Sequence, residues 1–236
     1  MARRSILDVQ KILSEGITLR TSGTTGRPKE IFQTPAKLKA ANITATDSQQ
    51  LTKSSRVYTV CKTAHAGGLL AQTLPALAIG AEVVIEDFNA YHWAKAVNYF
   101  THSHLTPDHC RAIMLTKSWR TLDLTGIWIT CGSDRVTWDI IEAFVTKGAT
   151  FMVNWGMTEI GPCAVNIVFD SMDKVQHYKS QTPSGTTILG NRYYCNINVQ
   201  DKRLSVHGDI CIYDDWFDTG DLVEFTKSGL FYHGRK

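Results

Sequence analysis

Residues 127–156 constrain the fold of this chain more than any other stretch. The apolar run 127–131 has the length and composition of a buried strand. Val136, Ile140, Ile141, Phe144 and Val145 then recur at helical spacing, and Gly148 suits a left-handed helix C-cap. A second strand follows at 150–155, with Phe151, Val153 and Trp155 alternating onto one face before Gly156. The same alternation runs through the earlier sequence. Residues 5–15 predict a short amphipathic helix, 17–20 a strand entering a Gly/Thr-rich loop at 21–29, and 56–61 another strand. Leu69, Leu70, Thr73, Leu74 and Leu77 form a helical stripe that stops at Gly80, and 82–86 is again strand-like. Helices alternating with strands favour an α/β fold, here a mixed, mostly parallel sheet flanked by helices over residues 1–182.

Past residue 183 the texture changes. Short β-like runs at 193–199, 204–207, 210–213, 222–225 and 230–233 are separated by turn signals such as Asp201-Lys202 and Lys227-Ser228-Gly229. That spacing predicts a small C-terminal antiparallel β subdomain over 183–236.

Composition narrows the function classes. A chain of 236 residues with 43% hydrophobic content buries a core without a disulfide or metal staple. Its 25 basic and 22 acidic residues leave +3, interspersed, which gives no basic stripe for nucleic acid. The six cysteines are widely spaced with no CxxC pair, as in a reducing, cytoplasmic compartment. The N-terminal stretch meets Asp8, Gln10 and Lys11 at once, so it predicts neither a signal peptide nor a membrane span.

The strongest chemical signal is Thr21-Ser22-Gly23-Thr24-Thr25-Gly26-Arg27-Pro28-Lys29. Glycines allow backbone N–H groups to approach phosphate oxygens, hydroxyls add donors, and Lys29 adds a mobile point charge for a terminal phosphate. The order is GxxGxxK, not the GxxxxGK[ST] of a Walker loop.

This loop resembles the signature of the adenylate-forming (AMP-binding) enzymes, which include acyl-CoA and aryl-CoA synthetases, luciferases and peptide-synthetase adenylation domains. The resemblance continues in order along the chain. Asn154-Trp155-Gly156-Met157-Thr158-Glu159 resembles the family's aromatic-Gly-Met-Thr-Glu motif, Phe217-Asp218-Thr219-Gly220-Asp221 its TGD motif, and Gly234-Arg235-Lys236 the start of its GRxxD/K motif. His65-Ala66-Gly67-Gly68 falls where the family places a substrate-pocket segment.

The resemblance implies an ATP-dependent ligase that activates a carboxylic acid as an acyl-adenylate, with CoA or another thiol as a later acceptor. It implies that Thr21, Ser22, Gly23, Thr24, Thr25, Gly26 and Lys29 hold the β- and γ-phosphates, that Thr158 touches the α-phosphate and that Glu159 holds Mg²⁺. Lys29, Thr158 and Glu159 would carry the chemistry. Asn154 would read the adenine amine, with Trp155 stacking on the base in place of the commoner tyrosine and Gly156 and Met157 completing the turn. Asp221 would accept from the ribose hydroxyls with support from Arg235. Gly132 and Ser133 would line the adenine and acyl pocket, and His65, Ala66, Gly67 and Gly68 the acid's own pocket.

Taken singly, several of these residues have plainer explanations. Glu159 could be a solvated loop acid, Trp155 a core residue, His65 an ordinary histidine, and Asp221 a common turn residue. His102, His104, His109 and Cys110 fit no zinc spacing, and Pro107 interrupts them, so the resemblance places them beside the acyl pocket instead. The chain also departs from the family. The signature loop begins at residue 21, and the sequence stops at the hinge position. The resemblance therefore implies a core without the mobile C-terminal domain and much of the N-terminal region, whose apolar flanks would suit a protein partner or a second copy. Without that domain, an alternative is a non-catalytic ATP-, AMP- or adenylate-binding module. The segment 65–68 carries no acid to pair with an α-ammonium group, which favours an aryl or medium acyl carboxylate over an amino acid.

Overall fold

A computed structural model describes residues 7–21 and 29–236. The first elements are α1 (Val9–Glu15), β1 (Ile17–Arg20), β2 (Glu30–Gln33), α2 (Pro35–Ser48) and β3 (Arg56–Thr59). A broken helix follows as α3 (Ala66–Gly68), a π-helical turn (Leu69–Thr73) and α4 (Leu74–Ala78), then β4 (Glu82–Ile85), α5 (Ala90–Ala96), β5 (His102–Leu105) and α6 (Pro107–Met114). The middle of the chain contributes β6 (Trp128–Cys131), α7 (Trp138–Thr146), β7 (Thr150–Met157), β8 (Gly161–Phe169) and α8 (Met172–Ser180). Last come β9 (Thr187–Gly190), β10 (Arg192–Tyr193), β11 (Asn196–Gln200), β12 (Arg203–His207), β13 (Phe217–Thr226) and β14 (Gly229–Arg235).

The seven-stranded sheet has the order β10-β8-β7-β6-β5-β3-β4. From β7 to β4 its neighbours are parallel, and β8 and β10 add an antiparallel edge. A five-stranded antiparallel sheet, β11-β12-β13-β14-β9, and the β1-β2 hairpin complete the fold. The α/β class expected from the sequence is what the chain adopts.

Local chemistry explains the helix ends. Thr34 caps α2 by accepting from Lys37 N–H, with Pro35 in the first turn. Thr106 and His109 form a capping box at the start of α6. Gly148, just past α7, takes φ +91, as a left-handed cap requires. The π turn follows from Thr73, whose hydroxyl donates back to the Gly68 carbonyl at 2.6 Å and opens the helical ladder.

The main core lies between the seven-stranded sheet and α5–α8. Trp93, Phe144, Phe151 and Phe169 are fully buried there, each worth roughly 1.5–3 kcal/mol on the area scale. A second core, around Ile160, Val165, Leu204 and Val223, lies against the five-stranded sheet. β7 serves both, because Phe151 and Val153 face the first core while Trp155 packs on the second.

Two sequence expectations need correcting, and one strand carries no sequence signal. Strand β8 was not signalled: every one of its residues is buried, so it shows no alternation. Residues 210–213 are bends and turns rather than a strand, because adjacent Ile210 and Cys211 are both buried and Ile212 N–H bonds to the Glu159 carbonyl at 2.9 Å. Residues 219–221, expected as a turn, lie inside β13. The 187–193 segment also stitches the two sheets together: β9 belongs to one and β10 pairs with β8 in the other.

The register keeps the carboxyl ends of β3–β7 level, pairing Thr59 with Ile85 and His104, and Cys131 with Leu105 and Val153. The loops that follow those strands therefore share one edge of the sheet, where ligands of open α/β sheets bind.

Candidate functional site

Along that edge runs a cavity of about 1790 Å³. One end begins at the β1-β2 hairpin. Thr21 N–H donates to the Lys29 carbonyl at 2.9 Å, closing the base of the glycine-rich loop, and both residues line the cavity. Ser22, Gly23, Thr24, Thr25 and Gly26 lie outside the described residues.

The next wall is the connection from β7 to β8. Met157 pairs with Gly161, so Thr158 and Glu159 form the tip of a tight hairpin, and both line the cavity with Asn154, Gly156 and Met157. Gln33, 1% exposed, donates from Nε2 to the Thr158 carbonyl at 2.7 Å and ties this tip to β2. Nothing in the sequence pattern distinguishes Gln33 from an ordinary strand glutamine. Asn154 is buried at the wall, and its Oδ1 has no hydrogen-bond partner among the described residues. A buried acceptor left open beside a cavity suits a ligand with an exocyclic amine.

Gly132 and Ser133 end β6. A Cβ on Gly132 would collide with the Asn154 carbonyl oxygen, so glycine is what lets β6 and β7 close here. Gly132 itself does not line the cavity, whereas Ser133 does, held at φ +73. For a serine that is a strained backbone, of the kind stored at binding sites.

Trp155 and Asp221 are brought together but stand behind the cavity wall, not on it. Asp221 is 2% exposed. Its Oδ2 accepts from Trp155 Nε1 at 2.9 Å, and its Oδ1 from Arg235 Nε at 2.7 Å. Arg235, whose pKa the hydrogen bond to Asp221 raises, lines the cavity together with Lys236.

At the other end, His65, Ala66, Gly67 and Gly68 all line the cavity. His65 Nδ1 lies 3.4 Å from the Arg20 carbonyl. A Cβ on Gly67 would sit 2.8 Å from Ser133 Oγ and 3.6 Å from His104 Cε1, so this glycine keeps the passage open between the two ends. The histidine-rich stretch divides as follows. His109 lines the cavity, while His102, His104 and Cys110 are buried in or against β5. Burial pulls the His104 pKa down to about 4 and pushes the Cys61 thiol up to about 12, so both are neutral near pH 7. No group of three or more metal-ligating side chains occurs among the described residues. No described helix is long and apolar enough to cross a membrane.

The model of the AMP-binding enzyme matches residues 19–216. The chain belongs to that family. One relative is the indoleacetate–CoA ligase of Aromatoleum aromaticum, 27% identical over 244 residues, covering 92% of this chain and 46% of that protein. Another, a feruloyl-CoA synthase from Amycolatopsis, is 26% identical over 152 residues, covering 62% of this chain and 30% of that protein. The chain thus spans less than half the length of these CoA-ligase relatives. Among solved structures, the o-succinylbenzoate CoA synthetase of Bacillus subtilis in complex with AMP superposes with a TM-score of 0.75 at 19% identity, covering 93% of this chain and 49% of that one. An acyl-CoA synthetase (AMP-forming)/AMP-acid ligase II-like protein from Dyadobacter fermentans gives 0.70 at 18%, covering 94% and 60%. At those identities the likeness is one of fold. Within the family, the chain resembles the acyl- and aryl-CoA ligases.

Proposed function

We propose that this chain is the nucleotide- and acid-binding core of an AMP-forming acid ligase, joining a carboxylic acid to ATP as an acyl-adenylate. The observation that carries the reading is the shared cavity: Lys29, Thr158, Glu159, Ser133 and the 65–68 segment line one space at the carboxyl edge of a parallel sheet. In the reaction a carboxylate oxygen attacks the α-phosphorus, the bond to the bridging oxygen breaks, and pyrophosphate leaves. Two anions must meet, so positioning and charge neutralisation supply most of the rate.

Each residue then has a defined task. Lys29 and the residues of the 21–26 motif hold the β- and γ-phosphates, and Thr158, steadied by Gln33, meets the α-phosphate. Asn154 Oδ1 takes the adenine amine. Arg235 faces the ribose, oriented by Asp221. The Asp221 carboxylate, buried behind the wall, reaches the sugar hydroxyls itself only when Trp155 or Arg235 moves aside. The same hydrogen bond turns the Trp155 indole edge toward Asp221, which favours a wall role over open stacking on the base. Glu159 offers the hard oxygen donor that Mg²⁺ accepts alongside phosphate oxygens. The ion, when bound, would neutralise charge on the departing pyrophosphate.

The acid is proposed to be an aryl or medium acyl carboxylate, a class supported by the names of the indoleacetate and feruloyl relatives. CoA or another thiol is the proposed acceptor. A reducing cytoplasmic setting suits six free cysteines, and the exposed Phe32 and Ile43 offer apolar surface for a protein partner or second copy. ATP–pyrophosphate exchange across a panel of carboxylic acids tests the proposal. No exchange with any acid, together with no ATP binding, refutes it. Tight nucleotide binding without exchange, unchanged by a C-terminal domain supplied in trans, assigns a binding module instead.

A further inference from the structure

We infer that the far lobe of the cavity selects aryl acids bearing a hydrogen-bond donor on the distal edge of the ring, and that Glu86 is the residue that reads that donor. The inference rests on the ligase reading above and names the substrate feature which that site prefers.

Glu86 follows the last residue of β4 and is fixed by its own N–H, which donates to the Thr59 carbonyl at 3.0 Å. Its side chain is 29% exposed and lines the cavity. Oε2 accepts from the Tyr58 hydroxyl at 2.7 Å and lies 3.6 Å from His92 Nε2. Oε1 has no partner among the described residues. A half-buried carboxylate, oriented by a tyrosine and with one oxygen open, is a ready acceptor.

The wall beside it is flat. Phe88 stacks on His109 with ring centroids 3.8 Å apart and planes 14° from parallel, and both rings line the cavity. His109 Nδ1 accepts from Thr106 N–H at 3.5 Å, which places the imidazole proton on Nε2. Burial lowers the His109 pKa, so the pair presents a neutral aromatic platform. Such a surface favours an aromatic ring over an alkyl chain.

Length selects the acid further. From β6 to β4 the sheet crosses β5 and β3, and three strand steps of about 4.8 Å put Glu86 roughly 14 Å from Ser133. Allowing for the reach of both side chains leaves on the order of 10 Å, the span of an arylpropenoic acid with a para substituent. A ring without a donor leaves Glu86 Oε1 unpaired in a part-buried site, whereas a phenolic hydroxyl satisfies it.

The test uses equilibrium binding of non-reactive acyl-sulfamoyl adenosines made from 3-(4-hydroxyphenyl)propenoic, 3-(4-methoxyphenyl)propenoic and 3-phenylpropenoic acids. The wild-type chain is expected to prefer the hydroxy compound over the methoxy one by about tenfold. Glu86→Gln keeps the acceptor for Tyr58 but removes the charge, and should cut that preference to less than about threefold. Phe88→Leu should weaken all three alike and preserve the preference. A preference absent in the wild type, or unchanged in Glu86→Gln, overturns the assignment while leaving the ligase reading intact. Failure of every analogue to bind to a chain that still binds ATP also overturns the assignment alone; failure together with no ATP binding and no exchange on any acid removes both.

Discussion

His104 offers a direct measure of how closely the end of the cavity lined by residues 65–68 is packed. It is 3% exposed on β5, beneath Gly67, and neither ring nitrogen has a hydrogen-bond partner among the described residues. Burial holds its pKa near 4 against an ordinary 6.5, with proximity to the Gly67 backbone opposing the shift and His109 reinforcing it. The unfolded chain therefore binds a proton below pH 6.5 that the native state refuses until about pH 4. Stability from this residue is complete above pH 6.5 and falls by about 1.4 kcal/mol per unit below it, which is about 2 kcal/mol at pH 5 and about 3 kcal/mol at pH 4. His102 and His109 are shifted the same way and steepen the acid limb, so the comparison must be differential. Urea unfolding of the wild type and His104→Leu, followed by the fluorescence of the six tryptophans, supplies it. The stability difference between the two proteins should move by about 2 kcal/mol in favour of the leucine variant between pH 7.5 and pH 5. A movement below about 0.5 kcal/mol would show that His104 is not held neutral by burial, and the account of the Gly67 wall would fall with it.

Lys29→Ala should weaken ATP binding by about tenfold while leaving AMP nearly unchanged, because AMP has no γ-phosphate; calorimetry showing equal losses would contradict the assigned role. Gly132→Ala should lower stability by about 1–3 kcal/mol, as a methyl group forces the end of β6 away from the Asn154 backbone; an unchanged urea midpoint would count against that contact. Gln33→Leu strands the Thr158 carbonyl and should cost about 1–3 kcal/mol, with a pyrophosphate-exchange rate that drops more than the binding of ATP. If exchange and binding fall in parallel, Gln33 serves only the fold.

Particular residues show where sequence was sufficient. The strand-helix-strand unit at 127–156 is legible because its apolar spacing and Gly148 act within a few residues of one another. The turn at Asp201-Lys202, with both residues at positive φ, belongs to the same class. The β8 strand escaped because a segment buried on both faces loses its period, and 210–213 misled because consecutive apolar residues can be buried by bends as well as by a strand.

Site chemistry divides along the same line. Sequence order sufficed to bring out Lys29, Thr158 and Glu159 as candidates: Lys29 through the glycine- and hydroxyl-rich loop that it ends, Thr158 and Glu159 through the resemblance of their motif to that of the family. Partnerships needed the tertiary structure. Gln33 meets Thr158 across 125 positions, Trp155 meets Asp221 across 66, and Tyr58 meets Glu86 across 28. Local sequence sets periodicity, caps and turns, because those forces act between residues close along the backbone. Which distant side chains share an oxygen depends on sheet order and register, and these are settled only when the whole core closes at once.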